Sequence, residues 1–374
     1  MDNLETFLQT QADAGTTFES SREFSVNLIA AHQKLGKYSL PRSTAWILKF
    51  VQAGTEADTD KLGLTLGRDR VEIAFPPDAF GEVPMLRDRL ETLSPKDSAE
   101  DHLFGGLLAL HSLPGDVYVE SGDARWYPAE TREFEDLSVH TEQTRVVYLP
   151  ERRSFWEQLK ARIWFTSGLL EELRKNCYGC PLDLRVDERD FSLGREDLPL
   201  LSGLIKGPAG ADLDYYGQLE RETGNKKRTF CSWGSSRPDH IGYAIQIRLA
   251  DNRSGGSLSM EWMRSGVIVK RESVDIPGGL PLVARILIPT RGLQFDASGF
   301  AIKDNEESRK RRSVGATYLE HAVEAVKGDL GRPGRWDRFL RRNYPEHRSV
   351  NVDRLISQLE DCVDSCKDSF SRER

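Results

Sequence analysis

The chain has 374 residues, 38% of them hydrophobic, 30% charged and 9% aromatic, a balance that suits a globular chain of two or three domains and excludes fibrous, mucin-like and wholly disordered classes. Its 52 basic and 59 acidic residues leave a net charge of −7, and its five cysteines are too few for a disulfide framework. No apolar run reaches the roughly 18 residues of a membrane helix and no basic-then-apolar leader opens the chain, so a cytoplasmic protein without membrane contact is expected.

Residues 1–23 are polar and are expected to form a flexible N-terminus. Helices are predicted over 24–36 and 41–56. In the second, Trp46, Ile47, Phe50 and Val51 recur at helical spacing, and Pro41 sits where a first turn tolerates it. Residues 61–66 and 71–75 read as a hairpin about a Gly67–Asp69 turn. Helices are expected at 84–93 and 98–111. A strand over Val117–Ser121 follows the Pro114-Gly115-Asp116 turn, and another covers Arg145–Leu149. A long amphipathic helix, 154–176, leads to a strand at Pro181–Val186. Further strands are read at 241–249, 257–263, 265–270 and 282–289, then helices at 314–328, 335–342 and 351–366. The mixed order predicts an α+β fold rather than regular βαβ alternation. Domain boundaries are expected near 150 and 308.

Charge is uneven along the chain. Residues 1–150 hold 14 Lys/Arg against 25 Asp/Glu, whereas 309–348 hold 11 against 5. An acidic front and a basic back would attract each other within one molecule or across a homodimer. The basic stretch includes Arg309, Lys310, Arg311, Arg312, Arg335, Arg338, Arg341 and Arg342, with Trp336, Phe339 and Tyr344 among them. Cations interleaved with aromatics suit nucleic acid. A solvated, salt-bridged helical tail is the plainer reading of such a run.

The run Trp46-Ile-Leu-Lys-Phe-Val-Gln52-Ala-Gly-Thr-Glu56-Ala-Asp58, followed by the hairpin Leu62–Phe75, resembles the opening of the GHKL ATPases: the gyrase, heat-shock chaperone, histidine kinase and MutL group. Their first motif is a helix reading roughly L-V-E-N-A-x-D-A-G. Asp78–Gly81 is similar to the family's D-x-G turn, and His102-Leu-Phe-Gly105-Gly106 to its later glycine-bearing helix start. Val117–Ser121 resembles the strand that follows. Leu173 to Asp187, through Cys177 and Cys180, is similar to a segment of MutL-like and chaperone-like second domains. The resemblance spans roughly residues 24–300. It implies a GHKL (Bergerat-like) α/β sandwich over 24–150, a strand-rich α+β second domain over 151–308, and a basic helical tail over 309–374.

The resemblance also implies an ATP or ADP pocket built from Gln52, Glu56, Asp78, Gly81, Gly105 and Gly106, from which this sequence departs. Gln52 stands at the family's glutamate and cannot take a proton from water as a carboxylate does. Ala53 stands at the asparagine and offers no oxygen, so magnesium is not expected. Glu56 falls at the acidic position one turn on and is the one candidate catalytic group. Asp78 follows Pro76-Pro77, with its glycine three residues later rather than two. Only Gly105 and Gly106 are available for a phosphate-binding lid. These departures predict a non-catalytic or weakly nucleotide-binding scaffold that presents surfaces to protein partners. An active ATPase machine and a nucleic-acid binder acting through the tail are the alternatives.

Other constellations carry less. Cys177-x-x-Cys180 has metal-ligand spacing, but a zinc site would need Cys362 and Cys366 folded back onto it. The seven histidines form no H-E-x-x-H spacing. Asp239-His240 is an adjacent acid–histidine pair, and neighbours in sequence rarely point at each other. The Gly224-Asn-Lys-Lys-Arg-Thr turn reads as a solvated hairpin tip. Arg291 and Lys303 flank a loop that the resemblance would bring towards a phosphate, although a turn capped by Asp296 and Ser298 is the plainer reading.

Overall fold

The computed structural model describes residues 44–67, 70–77, 79–91, 98–128, 134–151, 155–177, 180, 182–190, 201–206, 213–217, 241–249, 257–274, 282–295, 300–330 and 352–371. The predicted helices at 24–36 and 335–342 lie outside them, as do Asp78, Asp239, His240, Arg338, Arg341 and the 224–229 turn. Within the described residues the fold is α+β, with two six-stranded sheets and six helices.

The first sheet has the order β3-β4-β2-β1-β5-β6. Its strands are β1 (Lys61–Leu66), β2 (Val71–Pro77), β3 (Gly115–Trp126), β4 (Glu135–Pro150), β5 (Asp183–Val186) and β6 (Arg189–Asp190). Leu62, Leu64 and Leu66 alternate inward along β1, and Val71, Ile73 and Phe75 along β2, which fixes their antiparallel register. Helices α1 (Trp46–Glu56) and α3 (Ala99–His111) pack together against this sheet, with α2 (Val83–Glu91) beside β3. Trp46, Phe50, Phe75 and Phe80 fill the core between them at ring separations of 4.9–6.5 Å.

Two sequence expectations change here. The predicted strands 117–121 and 145–149 are parts of a long hairpin, β3–β4, that runs well past the covered sheet. The expected boundary at 150 does not divide the sheets. After α4 (Phe155–Asn176) the chain returns as β5, which pairs in parallel with β1 through Lys61↔Asp183 to Leu64↔Val186. Sheet one therefore reaches Asp190.

The second sheet has the order β11-β10-β12-β9-β7-β8. It is built from β7 (Leu201–Lys206), β8 (Leu213–Gly217), β9 (Ile241–Leu249), β10 (Ser257–Arg264), β11 (Val267–Val274) and β12 (Leu282–Pro289). β10 and β12 are parallel, and the remaining pairs antiparallel. Leu258, Met260 and Trp262 on β10 and Ala284, Ile286 and Ile288 on β12 share one buried face. Helices α5 (Glu306–Leu330) and α6 (Val352–Ser371) belong to that core through Ala316, Leu319, Ala322, Val323, Leu359 and Val363. The described parts of the region expected to be a tail, 309–330 and 352–371, thus belong to the second core: their apolar positions recur at helical spacing and need the sheet to cover them. Helix α5 also begins eight residues earlier than predicted, where the Asn305 carboxamide accepts from Ser308 N–H at 2.9 Å and the Ser308 hydroxyl closes back on Asn305.

Candidate functional site

Helix α1 is buried along nearly its whole length, yet one face is polar: Lys49, Gln52 and Glu56 lie at i, i+3 and i+7. Its C-terminus closes in a Schellman arrangement, with Asp58 at φ +54 and Thr59 N–H donating to the Gly54 carbonyl at 3.1 Å. Opposite the polar face stands α3. Close approach of the two helices depends on Gly106, where a Cβ would lie 2.8 Å from the Phe50 ring. The alkyl chain of Lys49 runs across Gly105, and its ammonium sits 4.7 Å from the Phe300 ring centroid.

The second sheet closes this face. β10 and β11 meet in a two-residue turn, Ser265–Gly266, with φ +49 and +77. The Gln52 side-chain N–H donates to the Arg264 carbonyl at 3.2 Å. The Ser265 hydroxyl donates to Glu56 Oε1 at 2.6 Å and lies 3.4 Å from His102 Nε2. Val267, fully buried, and Phe300 join the first core. Arg271, further along β11, makes a second contact between the units. It donates to Asn176 Oδ1 at 3.0 Å and to the Lys175 carbonyl at the end of α4.

Electrostatics follow from this burial. Desolvation, then the Lys49 charge, lowers the His102 pKa to about 3, so its imidazole is neutral at pH 7. The Gln52 Oε1 atom is buried without a hydrogen-bond partner among the described residues. Serine, histidine and carboxylate do meet here, but the carboxylate engages the serine rather than orienting the imidazole. The arrangement therefore lacks the order of a Ser-His-acid relay.

The proposed pocket residues are distributed as follows. Gln52 and Glu56 share the polar face, Gln52 sealed beneath the hairpin tip and Glu56 half-buried. Gly81, at φ +71, turns the chain after β2, and its carbonyl accepts from the Ser121 hydroxyl at 2.8 Å. Gly105 and Gly106 lie inside α3, after the Ser98 cap, so their N–H groups are in the helix and its interior supplies no lid loop. Gly106 is required by helix packing, since a Cβ there would meet the Phe50 ring. Ala53 points into the hydrophobic core and carries no metal-binding oxygen.

Among the basic candidates, Arg309 and Lys310 are exposed on α5. Arg311 is held by the carbonyls of Pro289 and Arg291 at 2.6 and 2.7 Å and by Glu307. Arg312 is buried, gripping Glu272 with two nitrogens at 2.9 Å and Asp304 at 3.0 Å. Its guanidinium is taken up by these two carboxylates. Arg291 and Lys303 are exposed. The cysteine pairs lie in different cores, Cys177 and Cys180 in the first, Cys362 and Cys366 in the second, so they do not form a joint zinc site. Burial pushes the thiols of Cys180, Cys362 and Cys366 up to about 12. Among the described residues no group of three or more metal-ligating side chains is assembled.

Sequence reading missed His102 and Ser265. The signal for Ser265 was present: a Ser-Gly pair between two apolar runs marks a hairpin turn. For His102 the only signal was its place beside Leu103 and Leu107 on the buried side of a helix.

Fold and site together define a two-sheet α+β protein with a buried polar junction between its halves. No family model and no curated protein matches the sequence. One solved structure that matches by shape is described as the crystal structure of the N-terminal domain of a DNA repair protein. It shares 8% identity, with 79% of this chain and 98% of that chain covered, at a TM-score of 0.40. A superposition that loose leaves the fold family unassigned. No helix among the described residues is long and apolar enough to cross a membrane.

Proposed function

We propose that this chain is a non-catalytic, GHKL-like scaffold whose nucleotide binding is weak and whose work is to present surfaces to protein partners. The observation that carries the reading is the polar face of α1. Where an ATPase of that family needs a carboxylate and an asparagine open to nucleotide, this helix has Gln52 and Ala53. Gln52 is sealed under Arg264 and Ser265 of the second sheet. Hydrolysis needs a base within reach of water and a metal held by oxygen ligands. Glu56 is the remaining carboxylate on the face, and it is engaged by Ser265.

A nucleic-acid role keeps Arg309 and Lys310 as its described support, since Arg311 and Arg312 are spent on structure. The test is a thermal melt with ATP or ADP, with and without magnesium, because binding to the native state raises the midpoint by mass action. A small shift at millimolar nucleotide, independent of magnesium, is expected. A large magnesium-dependent shift with turnover that Glu56→Ala abolishes would instead make the chain an ATPase.

A further inference from the structure

The two-residue turn at 265–266 carries an oddity. Both positions have positive φ, a geometry for which Asn-Gly, Asp-Gly and Gly-Gly are the favoured pairs. Serine at the first position is a poorer choice for the turn itself. What serine adds is a hydroxyl that reaches across to Glu56 at 2.6 Å and lies near His102. The residue therefore suits docking better than it suits its own hairpin. Beneath it lie Gln52 and His102, both buried, and the Gln52 Oε1 atom has no hydrogen-bond partner among the described residues. Such a stripe is costly to keep in a core unless something uses it.

We infer that the Ser265–Gly266 tip is a built-in plug, which competes with nucleotide for the polar face of α1; this rests on the nucleotide-binding reading above. Docked, the tip occupies the face through Ser265 and the Arg264 carbonyl, and Val267 anchors it in the first core. Undocked, it uncovers the Glu56 carboxylate, the Gln52 amide and the neutral His102 imidazole, an anion and two hydrogen-bonding groups suited to the hydroxyl and amino groups of a nucleotide's sugar and base. The Arg271 contact with Asn176 and Lys175 stands apart from the tip, so it can hold the units together while the tip lifts. Apparent affinity for nucleotide is then reduced by the fraction of molecules whose face is open.

The test uses the full chain in three forms: wild type, Ser265→Gly, and Ser265→Gly with Val267→Thr. Glycine satisfies the turn, and threonine keeps the β-branched shape, so the hairpin itself is preserved. Amide hydrogen exchange at 264–268 and in α1 reads docking, and equilibrium dialysis with labelled ATP reads binding. Faster exchange at those amides, with ATP affinity rising about tenfold or more in the double variant, is the expected result. Unchanged exchange in the double variant overturns the plug while leaving the nucleotide reading untouched. Faster exchange with unchanged affinity overturns the competition. No ATP binding by any of the three, at millimolar concentration and with exchange raised, overturns the inference together with the nucleotide reading.

Discussion

Asp187–Glu188, between β5 and β6, and Ser265–Gly266, between β10 and β11, are both two-residue turns with positive φ at each position. Asp187 is fastened within its own sheet: its Oδ1 accepts from Leu66 N–H at 2.8 Å, and its own N–H donates to the Leu64 carbonyl at 2.9 Å. Ser265 is fastened to the other half of the molecule, through Glu56. One turn completes a sheet edge that exists without it. The other joins two cores and leads directly into Val267, which is buried in the first of them. The difference teaches that equal local geometry serves unequal ends, and that the end is set by what the first turn residue can touch. Contacts within a unit should therefore govern global stability, whereas contacts at the junction should govern how the units sit together.

The largest break expected is inside the second unit. Arg312→Leu leaves Glu272 half-sheltered and short of its main partner, and should cost about 3 kcal/mol in denaturant unfolding. Next comes Gly106→Ala, whose methyl would meet the Phe50 ring at 2.8 Å; a cost of about 2 kcal/mol is expected from overpacking. If that variant is as stable as the wild type, α1 and α3 are not in the close contact described.

The junction should show itself through pH. His102 is held down to about 3 by burial and then by Lys49, against 6.5 for the free group. The unfolded chain thus takes up a proton that the folded one refuses, so stability is full above about pH 6.5 and falls as pH drops towards 3. His111, lowered to about 4 by burial, adds a slope of the same sign. Denaturant midpoints measured between pH 7 and 5 should decline, and His102→Gln should flatten part of that decline. An unchanged slope in the variant would place His102 in water.

The two turns give the smallest and most direct contrast. Asp187→Gly keeps the turn and removes the acceptor of Leu66 N–H, at a cost of about 1 kcal/mol. Ser265→Gly loses one hydrogen bond but relieves a non-glycine residue at positive φ, so its cost in global stability should be about 0.5 kcal/mol or less. Hydrogen exchange should quicken around β1 in the first variant and around the α1 junction in the second. The reverse pattern would dissolve the comparison.

The sequence revealed α1 through Trp46, Ile47, Phe50 and Val51, and β9 and β12 through apolar runs that end where the strands end. It was silent where pairing depends on distant chain. β5 looks like any short alternating strand, and nothing local tells it to lie parallel to β1. The outer part of β4 carries exposed Glu135, Asp136, Ser138 and His140, so it lacks the apolar face that marks a strand. Of the candidate site, Gln52 and Glu56 were legible as neighbours on one helical face. Their partners Arg264 and Ser265 lie more than 200 residues away, and only the packing of sheet against sheet brings them there.

The separate burial of the two thiol pairs gives the molecule an internal record of its own openings. Cys177 and Cys180 are hidden in one core, Cys362 and Cys366 in the other, and none is exposed enough to react without a local unfolding event. A thiol reagent applied under native conditions therefore meets each pair only when its own half opens. Reaction rates followed by peptide mapping would rank the two halves as folding units without a single substitution, and would tell whether they open together or one at a time.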